Sequence, residues 1–298
     1  MSANQKLDVI SIGHASYDLV FSVPHHPKED EKLFADNLLS CGGGPAANAS
    51  VIVARLGFKS AFAGYLGKDV YGDSHLSELH NDGVDTRRIV RGNSPTPLSA
   101  VLVKPDGKRA LLNYKGNTKA LSADCIDFAG LHSKVVLFDG HEPHISLTAL
   151  NSLEFNSSLL DAGSLHDGTR TLMDKVDYLV CSEKFALQYA ADENMALSRL
   201  ATLAPFVVIT LGERGLIWQR GQEHGHMKAP TIIPVDTTGA GDAFHGAFAA
   251  GLAADLDWQD LLRYASAAGA ICCKHMGARP GLADARQLKE MLANWHDY

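Results

Sequence analysis

The sequence predicts an α/β fold, a doubly wound domain in which helices flank a mostly parallel sheet. Short apolar runs alternate with helical patterns along most of the chain. Runs such as 206–210 are almost wholly apolar, which is typical of strands buried on both faces. Polar residues and glycines follow these runs, at the strand ends where open α/β sheets bind ligands. Because repeats and low-complexity segments are absent, we expect one domain over residues 1–298.

The N-terminal third begins with a buried strand at 7–13, followed by Asp18 among apolar neighbours. Three consecutive glycines, Gly42–Gly44, then precede Pro45, which favours the first turn of a helix. That helix is predicted to end at Gly57. Glycines allow backbone amides to approach a small ligand closely, but a plain turn before a helix fits equally well.

The middle of the chain adds strands, one helix and one hairpin. An Asp-Gly turn at 105–108 joins strand-like runs at 95–103 and 109–114, which is a hairpin signal. A helix is predicted from about 68 to 82. Further strands are predicted at 60–66, 135–138, 156–160, 178–181, 206–210 and 216–218.

The segment 234–248 carries the clearest chemical signal. We interpret Ile232, Ile233 and Val235 as a strand end, Gly239 and Gly241 as a turn, and the region from about Asp242 as a helix. Free amides at a helix start, with the helix dipole, form an anion site that suits phosphate. A carboxylate there serves either as a base for an attacking hydroxyl or as a helix cap.

Two motifs carry a family resemblance: Asp236-Thr-Thr-Gly-Ala-Gly-Asp242 and Gly42-Gly-Gly-Pro-Ala-Ala-Asn48, the second followed by Ala54-Arg-Leu-Gly57. Together they resemble the signatures of the ribokinase-like (PfkB) carbohydrate kinases, with the ketohexokinase-like and sulfofructose-kinase-like branches nearest. The resemblance implies a kinase that uses ATP and Mg²⁺ to phosphorylate a hydroxymethyl group of a sugar. It also implies a small β-sheet lid, built from segments at about 15–40 and 92–118, through which two chains form a homodimer.

The resemblance assigns roles to individual residues. Asp242 is the general base, and the amides of Gly239, Ala240 and Gly241 stabilise the phosphoryl group. The implied sugar-binding residues are Asp18, Gly43, Gly44, Asn48, Asn113 and His141.

The resemblance also places the nucleotide and the metal ions. The nucleotide is expected beside Thr210, Gly212, Gly215, Thr238 and Gly277, and a monovalent cation such as K⁺ beside Asp236 and Thr238. Many family members carry an Asn-x-x-Glu motif for Mg²⁺, where this chain has Ser182-Glu-Lys-Phe185. We therefore expect Glu183 to reach Mg²⁺ through water.

Composition excludes several other classes of protein. The 298 residues are 46% hydrophobic and carry a net charge of −7, with a pI near 6.0, which gives no reason to expect nucleic acid or membrane partners. Five cysteines without CxxC spacing indicate reduced thiols. With no apolar signal segment, we expect a cytoplasmic protein.

Three alternatives remain open from the sequence. A nucleoside kinase of the same family would share the chemistry but would need an apolar shelf for the base. A nicotinamide-dependent oxidoreductase rests only on Gly239-x-Gly241, which is a weak fragment of a dinucleotide fingerprint. A catalytically silent sugar or nucleotide sensor would keep the fold without turnover. The sequence contains no P-loop motif.

Overall fold

The computed structural model describes residues 5–295, so the ends of the predicted 1–298 domain, residues 1–4 and 296–298, lie outside the described residues. The strands β1–β13 are Gln5–Ile12, Ser16–Ser22, Asn37–Gly43, Ser60–Gly67, Asp85–Gly92, Leu98–Val103, Arg109–Tyr114, Leu131–Phe138, Glu154–Ala162, Tyr178–Ser182, Phe206–Thr210, Leu216–Arg220 and Glu223–Met227. The helices α1–α10 are Pro45–Arg55, Val70–Asn81, Pro143–Ser152, Asp167–Leu172, Glu183–Tyr189, Glu193–Leu200, Ala240–Ala253, Trp258–Cys272, Ala278–Gly281 and Ala285–Asn294.

A nine-stranded sheet forms the centre of the fold, in the order β13-β12-β11-β10-β9-β8-β1-β4-β5. The seven strands from β11 to β5 are parallel, and β12 and β13 extend the sheet in antiparallel register. The carboxyl ends of the parallel strands therefore meet at one edge, which collects the polar residues that follow each strand.

Helices cover both faces of this sheet, which confirms the doubly wound α/β class. Successive strand residues point to opposite faces, so Val9 packs in one hydrophobic cluster and Ile10 in the other. One cluster holds α1, α7 and α8, and the other holds α3 to α6. Among residues 5–295, we find no helix that is both long and apolar enough to cross a membrane.

A second, four-stranded sheet has the order β3-β2-β6-β7, and we call it the lid. Its outer pairs are antiparallel and its central pair, β2 with β6, is parallel. Val20, Val101 and Val103 are buried on the inner face, in a small cluster with Met276. Strands β2, β6 and β7 fall within the two segments predicted for a lid, and β3 runs three residues past the first of them.

Some expectations for individual elements were wrong. Ile232, Ile233 and Val235 form no strand; they lie in a loop, and Ile233 is 89% exposed. Gly42 and Gly43 end strand β3, so only Gly44 of the three glycines lies between the strand and the helix. The sequence reading also missed β5 and β13, which are the two polar edge strands of the large sheet.

Helices α1 and α7 pack together because α7 has a glycine at the crossing. A Cβ built at Gly246 would lie 2.7 Å from the carbonyl oxygen of Ala49 and 2.3 Å from Cγ2 of Ile52. The absence of a side chain at Gly246 therefore sets the distance between the two helices.

We predict that Gly246→Ala destabilises the fold by about 1–3 kcal/mol through overpacking, although alanine is the better helix former. Urea unfolding at equilibrium measures the change. Gly163→Ala is the control, since a Cβ there meets nothing closer than 3.9 Å. An equal free energy of unfolding for the Gly246 variant and the wild type would show that α1 and α7 can move apart without loss of stability.

Candidate active site

Asp242 lies in the first turn of α7, directly after the glycine turn. Gly239 is the N-cap residue with φ 78°, a left-handed conformation that favours glycine, and a Cβ there would lie 2.3 Å from Cβ of Ala278. A Cβ at Gly241 would meet no protein atom within 4 Å. Gly239 is thus required by the backbone, whereas Gly241 leaves open space in front of the helix.

Asn48 holds the Asp242 carboxylate in place. Its Nδ2 donates to Oδ2 of Asp242 at 2.7 Å, and its Oδ1 accepts from Nε of Arg279 at 3.3 Å. Because an arginine only donates, Arg279 fixes which end of the amide faces Asp242. Asn48, predicted to bind sugar, thus directs its amide nitrogen to the predicted base.

Arg279 is itself buried, with only 4% of its surface exposed. Its Nη2 contacts Nε2 of His75 at 3.0 Å, and its Nη1 lies 3.7 Å from the Glu78 carboxylate. Burial next to this guanidinium lowers the pKa of His75 well below its usual value, so the ring is neutral and its Nε2 accepts. A Cβ at Gly42 would lie 2.9 Å from Nη2 of Arg279, which explains the glycine at that position.

The lid contributes Asp18 from strand β2. Oδ1 of Asp18 accepts from the Ser16 hydroxyl at 2.9 Å, and a Cβ at Gly43 would lie 2.2 Å from its Oδ2. Gly44, with φ 93°, lies against the backbone of residues 14–16. The structure therefore brings Asp18, Gly43 and Gly44 together at the N-terminus of α1, one turn before Asn48.

Carboxylates converge on this site, and their pKa values are shifted. Burial raises the pKa of Asp242, which the Asn48 hydrogen bond and the positive charge of Arg109 oppose. Burial also raises the pKa of Asp18, and the Asp242 charge adds to the effect. Burial and the charges of Asp242 and Asp139 raise the pKa of Asp161 well above its ordinary value.

His245 connects the start of α7 to the neighbouring strands. Its ring nitrogens lie 2.6 Å from the carbonyl oxygen of Gly241 and 3.1 Å from that of Val180. Nδ1 is also 3.3 Å from the Asp161 carboxylate, and both side chains are buried. These contacts fix the first turn of α7 against β9 and β10.

Asp139, directly after β8, organises the loops on the other side. It accepts backbone N–H groups from His14 at 2.7 Å, from Ala46 at 3.2 Å and from His141 at 2.9 Å. The His141 ring stands between those of His14 and His166, with centroids 5.1 Å and 4.9 Å away. His141, predicted to contact the substrate, thus lies in a row of three imidazoles.

Two cavities meet at the start of α7. One, of about 380 Å³, is lined by Asp242, His141, Asp161, Glu183 and Arg109; we call it the acceptor cavity. The other, of about 510 Å³, is mainly apolar and is lined by Thr210, Gly215, Pro230, Ile232 and Phe244; we call it the nucleotide cavity. Residues that line both are Thr210, Gly212 and Gly241.

Not all of the predicted nucleotide-binding residues line a cavity. Thr238 and Gly277 instead bind Asp236, which is fully buried. Oδ1 of Asp236 accepts from the amide and the hydroxyl of Thr238 at 2.8 and 2.7 Å, and Oδ2 accepts from the amide of Gly277 at 2.8 Å. Asp236 therefore ties the loop before α7 to the loop after α8.

Of the remaining predicted residues, Glu183 lines a cavity and Asn113 lines neither of the two cavities. Glu183 lines the acceptor cavity, and its Oε1 pairs with Nη2 of Arg214 at 2.8 Å. Asn113 is exposed on β7, opposite Ser99. Within the described ranges, no three His, Cys, Asp or Glu side chains converge to form a metal site.

Sequence reasoning missed Arg109, Asp161, His245 and Arg279. Asp161 lies at the carboxyl end of a predicted strand, so the strand-end rule could have found it. No such rule finds the two arginines. Arg109 binds Thr237 and Arg279 binds Asn48, and more than a hundred residues separate the members of each pair in the sequence.

Comparison with known proteins places the chain in a family. The family model described as pfkB family carbohydrate kinase matches residues 6–285. Ribokinase from Lactococcus lactis is 27% identical over 94% of this chain and 95% of its own. The crystal structure of Thermotoga maritima ribokinase superimposes with a TM-score of 0.85 at 23% identity, over 97% of this chain and all of that one. Arabidopsis thaliana ribokinase complexed with ribose and ATP gives 0.79 at 23% identity, covering 98% and 100% of the two chains.

The fold and the site define a phosphotransferase with an alcohol group as acceptor. The chain belongs to the pfkB family of carbohydrate kinases, the ribokinase-like kinases. This membership confirms the resemblance found in the sequence. It also shows that the alternative of a nicotinamide-dependent oxidoreductase was wrong.

For Asp242 as the predicted general base, the raised pKa predicts an acidic limb in kcat/KM, because a protonated carboxyl cannot take a proton. The midpoint is expected above 3.8, the ordinary pKa of an aspartate. Asn48→Ala removes a donor that lowers this pKa, so the limb should move to higher pH. Activity measured from pH 4 to 9 gives the midpoint, and the exposed Asn151→Ala is the control. An unmoved limb in Asn48→Ala would contradict the assigned hydrogen bond.

Proposed function

We propose that this protein is an ATP-dependent sugar kinase that transfers the γ-phosphoryl group to a hydroxymethyl of a sugar or sugar derivative. The observation that carries the proposal is the Asp242 carboxylate, held by Asn48 at 2.7 Å at the point where the two cavities meet. A hydroxyl in the acceptor cavity and a phosphate in the nucleotide cavity would approach each other in front of this carboxylate. The relatives named ribokinase, deoxyribokinase and probable fructokinase support a sugar as acceptor.

The transfer is a single displacement at phosphorus. The acceptor oxygen forms a bond to the γ-phosphorus, and its proton passes to Asp242. The bond from the γ-phosphorus to the bridging oxygen breaks, and its electron pair leaves with ADP. The free amides at the start of α7 stabilise the charge on the phosphoryl oxygens. Ala240 donates only weakly within the protein, to Thr237 at 3.4 Å, so its amide and that of Gly241 are available.

We propose the substrate contacts from the predicted residues, of which His141 lines the acceptor cavity and Asn48 binds Asp242, which also lines it. Asp18 accepts hydrogen bonds from sugar hydroxyls, and Gly43 and Gly44 give the backbone close access. Asn48 bridges the sugar and the base, and Asn113 and His141 line the approach from the lid and from the loop after β8. Lid closure excludes water, which favours transfer over hydrolysis of ATP.

The nucleotide cavity suits ATP, because its apolar lining accepts the adenine and Thr210, Gly212 and Gly215 follow the phosphates. Mg²⁺ prefers oxygen ligands and keeps several waters, so ATP oxygens hold most of it and Glu183 reaches it through water. Mg²⁺ neutralises phosphate charge when bound.

We propose that Asp236 and Thr238 bind a monovalent cation such as K⁺. Asp236 is buried and pairs with no cationic side chain among the described residues, and Thr238 lies beside it.

We predict that Asp242→Asn lowers kcat by roughly a hundredfold or more, because the general base is lost while the shape is kept. The assay is ADP release with ATP·Mg²⁺ against ketoses, aldoses, sugar phosphates, sulfofructose and nucleosides, with and without K⁺. Asp260→Asn, the same change in the first turn of α8, is the control. Full turnover in Asp242→Asn at saturating substrate would overturn the base assignment.

A nucleoside acceptor is the second candidate, favoured by one observation. The His141 and His166 rings are stacked at an interplanar angle of 17° and both line the acceptor cavity, so they offer an aromatic contact for a base. Competition between adenosine and simple ketoses in the same assay separates the two acceptors.

We also propose a cytoplasmic homodimer that pairs through the lid. The outer face of the lid is apolar and open, with Leu38 56%, Leu112 74% and Tyr114 55% exposed. A sheet with one face on the protein usually shows polar residues on the other, so this apolar face suits a second copy.

Leu112→Asp should therefore convert a dimer into a monomer, since it places a charge in the apolar contact. Light scattering after size exclusion gives the mass, to be compared with 32.0 kDa for one chain. Leu187→Asp changes an exposed leucine on α5 and should leave the mass unaltered. A wild type that is monomeric at all concentrations would refute the lid interface.

A further inference from the structure

A further cavity, of about 280 Å³, lies at the edge of the large sheet, and we call it the edge cavity. Its lining consists of Arg87, Arg88, Ile89 and Val90 from β5, and of Cys125, Ile126 and Asp127 from the loop before β8. We propose that the edge cavity binds a small organic anion, and that Arg88 binds the carboxylate or phosphate group of that anion. The edge cavity shares no lining residue with the acceptor and nucleotide cavities, so it is independent of the proposed kinase function.

The edge cavity lies between a strand and a loop that do not pair with each other. Strand β5 is the last strand of the large sheet, and it pairs only with β4. In the part of the chain that the structure describes, no backbone hydrogen bond joins β5 to residues 125–127. A ligand can therefore enter between the two segments without breaking the sheet.

Arg88 lies on the face of the sheet that packs against α3 to α6. It pairs with Ala63 of β4, which is buried in the hydrophobic cluster of those helices. Ile126 of the loop is buried in the same cluster, and Val90 of β5 packs against it. The side chain of Arg88 is therefore largely covered, with 18% of it exposed, although β5 is an edge strand.

The charge of Arg88 is not matched by a hydrogen-bonded carboxylate. Its Nε is buried and makes no hydrogen bond, and its Nη1 lies 4.0 Å from the Asp85 carboxylate, which is too far for one. Asp85 is instead held by Arg87, whose Nη2 and Nε donate to it at 2.7 and 3.0 Å. Burial lowers the pKa of Arg88, because the guanidinium has lost part of its water.

An oxyanion supplies the partner that Arg88 lacks. Buried donors without a partner are few in folded proteins, and the planar fork of a guanidinium matches the oxygens of a carboxylate or a phosphate. The apolar lining residues suit a short carbon chain. Asp127 lines the same cavity and can accept a hydrogen bond from a hydroxyl of the ligand. The edge cavity therefore suits a hydroxy acid or a polyol phosphate.

Cys125 provides a measurement at the edge cavity itself, because its thiol is exposed and the residue lines the cavity. The rate of its alkylation by iodoacetamide is followed by mass spectrometry of the peptide, at increasing concentrations of glycerol 3-phosphate, malate or inorganic phosphate. In the wild type, at least one of these anions should slow the alkylation of Cys125, since a bound ligand covers the thiol. The concentration at half effect gives the affinity.

Variants of Arg88 identify the group that binds the anion. Arg88→Gln should weaken the binding by about tenfold or more, because it removes a charge-assisted pair. Arg88→Lys keeps the charge without the planar fork and should keep part of the affinity. Arg286→Gln, which removes the same charge from an exposed position on α10, is the matched control and should behave like the wild type.

Cys273 is the internal reference, because it lines the nucleotide cavity. Its alkylation rate should be the same in the wild type and in Arg88→Gln, which shows that the variant keeps its fold. Slower alkylation of Cys125 with glycerol 3-phosphate alone would assign the edge cavity to phosphate esters, and with malate alone to hydroxy acids. An equal effect of potassium chloride at matched ionic strength, an equal effect in Arg88→Gln, or no effect of any of the three anions would overturn the anion site.

Discussion

The hydrogen bond between Asn48 and Asp242 joins the two motifs from which the site is built, although 194 positions separate them in the sequence. It forms only because α1 and α7 lie close enough for a side chain to bridge them, and Gly246 sets that distance. The buried Arg279 then selects the orientation of the amide. The acceptor cavity, the glycine turn and the lid all take their positions from this pair of helices.

Clustered negative charge is the second constraint. Asp18, Asp161 and Asp242 all have raised pKa values, since each is buried and two or more carboxyl groups face one another. Carboxylates clustered in this way repel one another, and a cationic ligand relieves the repulsion. For the proposed nucleotide with its Mg²⁺, the site thus already contains the negative charge that attracts the metal.

The sequence was sufficient for the parts of the fold whose signals are local. The glycine turn and the helix after it were predicted from 236–242 because positive φ and free helix amides depend on near neighbours. The central strands were predicted because burial on both faces makes them continuously apolar. The edge strands β5 and β13 were missed, since an edge needs no such run. Ile233 misled the prediction, as an apolar residue that is exposed in a loop.

Within the site, the sequence was sufficient to predict the residues that belong to motifs. It did not predict the residues that reach the site from distant elements of the fold. Asp242 and Asn48 belong to recognisable strings. Arg109 belongs to an ordinary hairpin and Arg279 to the four-residue helix α9, and neither has a local signal. Their roles depend on the docking of the lid and on the packing of α9 against α1 and α2, which only long-range contacts decide.

The close contact of α1 with α7 also has a consequence for synthesis of the chain. The buried residues Ala47, Ala49 and Ile52 belong to α1, whose partner helix begins only at Ala240 and is therefore synthesised much later. Until the ribosome releases that segment, an apolar helix face near the N-terminus stays uncovered, which favours aggregation and chaperone binding. The nascent chain is thus vulnerable to aggregation until α7 has been made, and the docking of α7 on α1 both covers this face and brings Asn48 to Asp242.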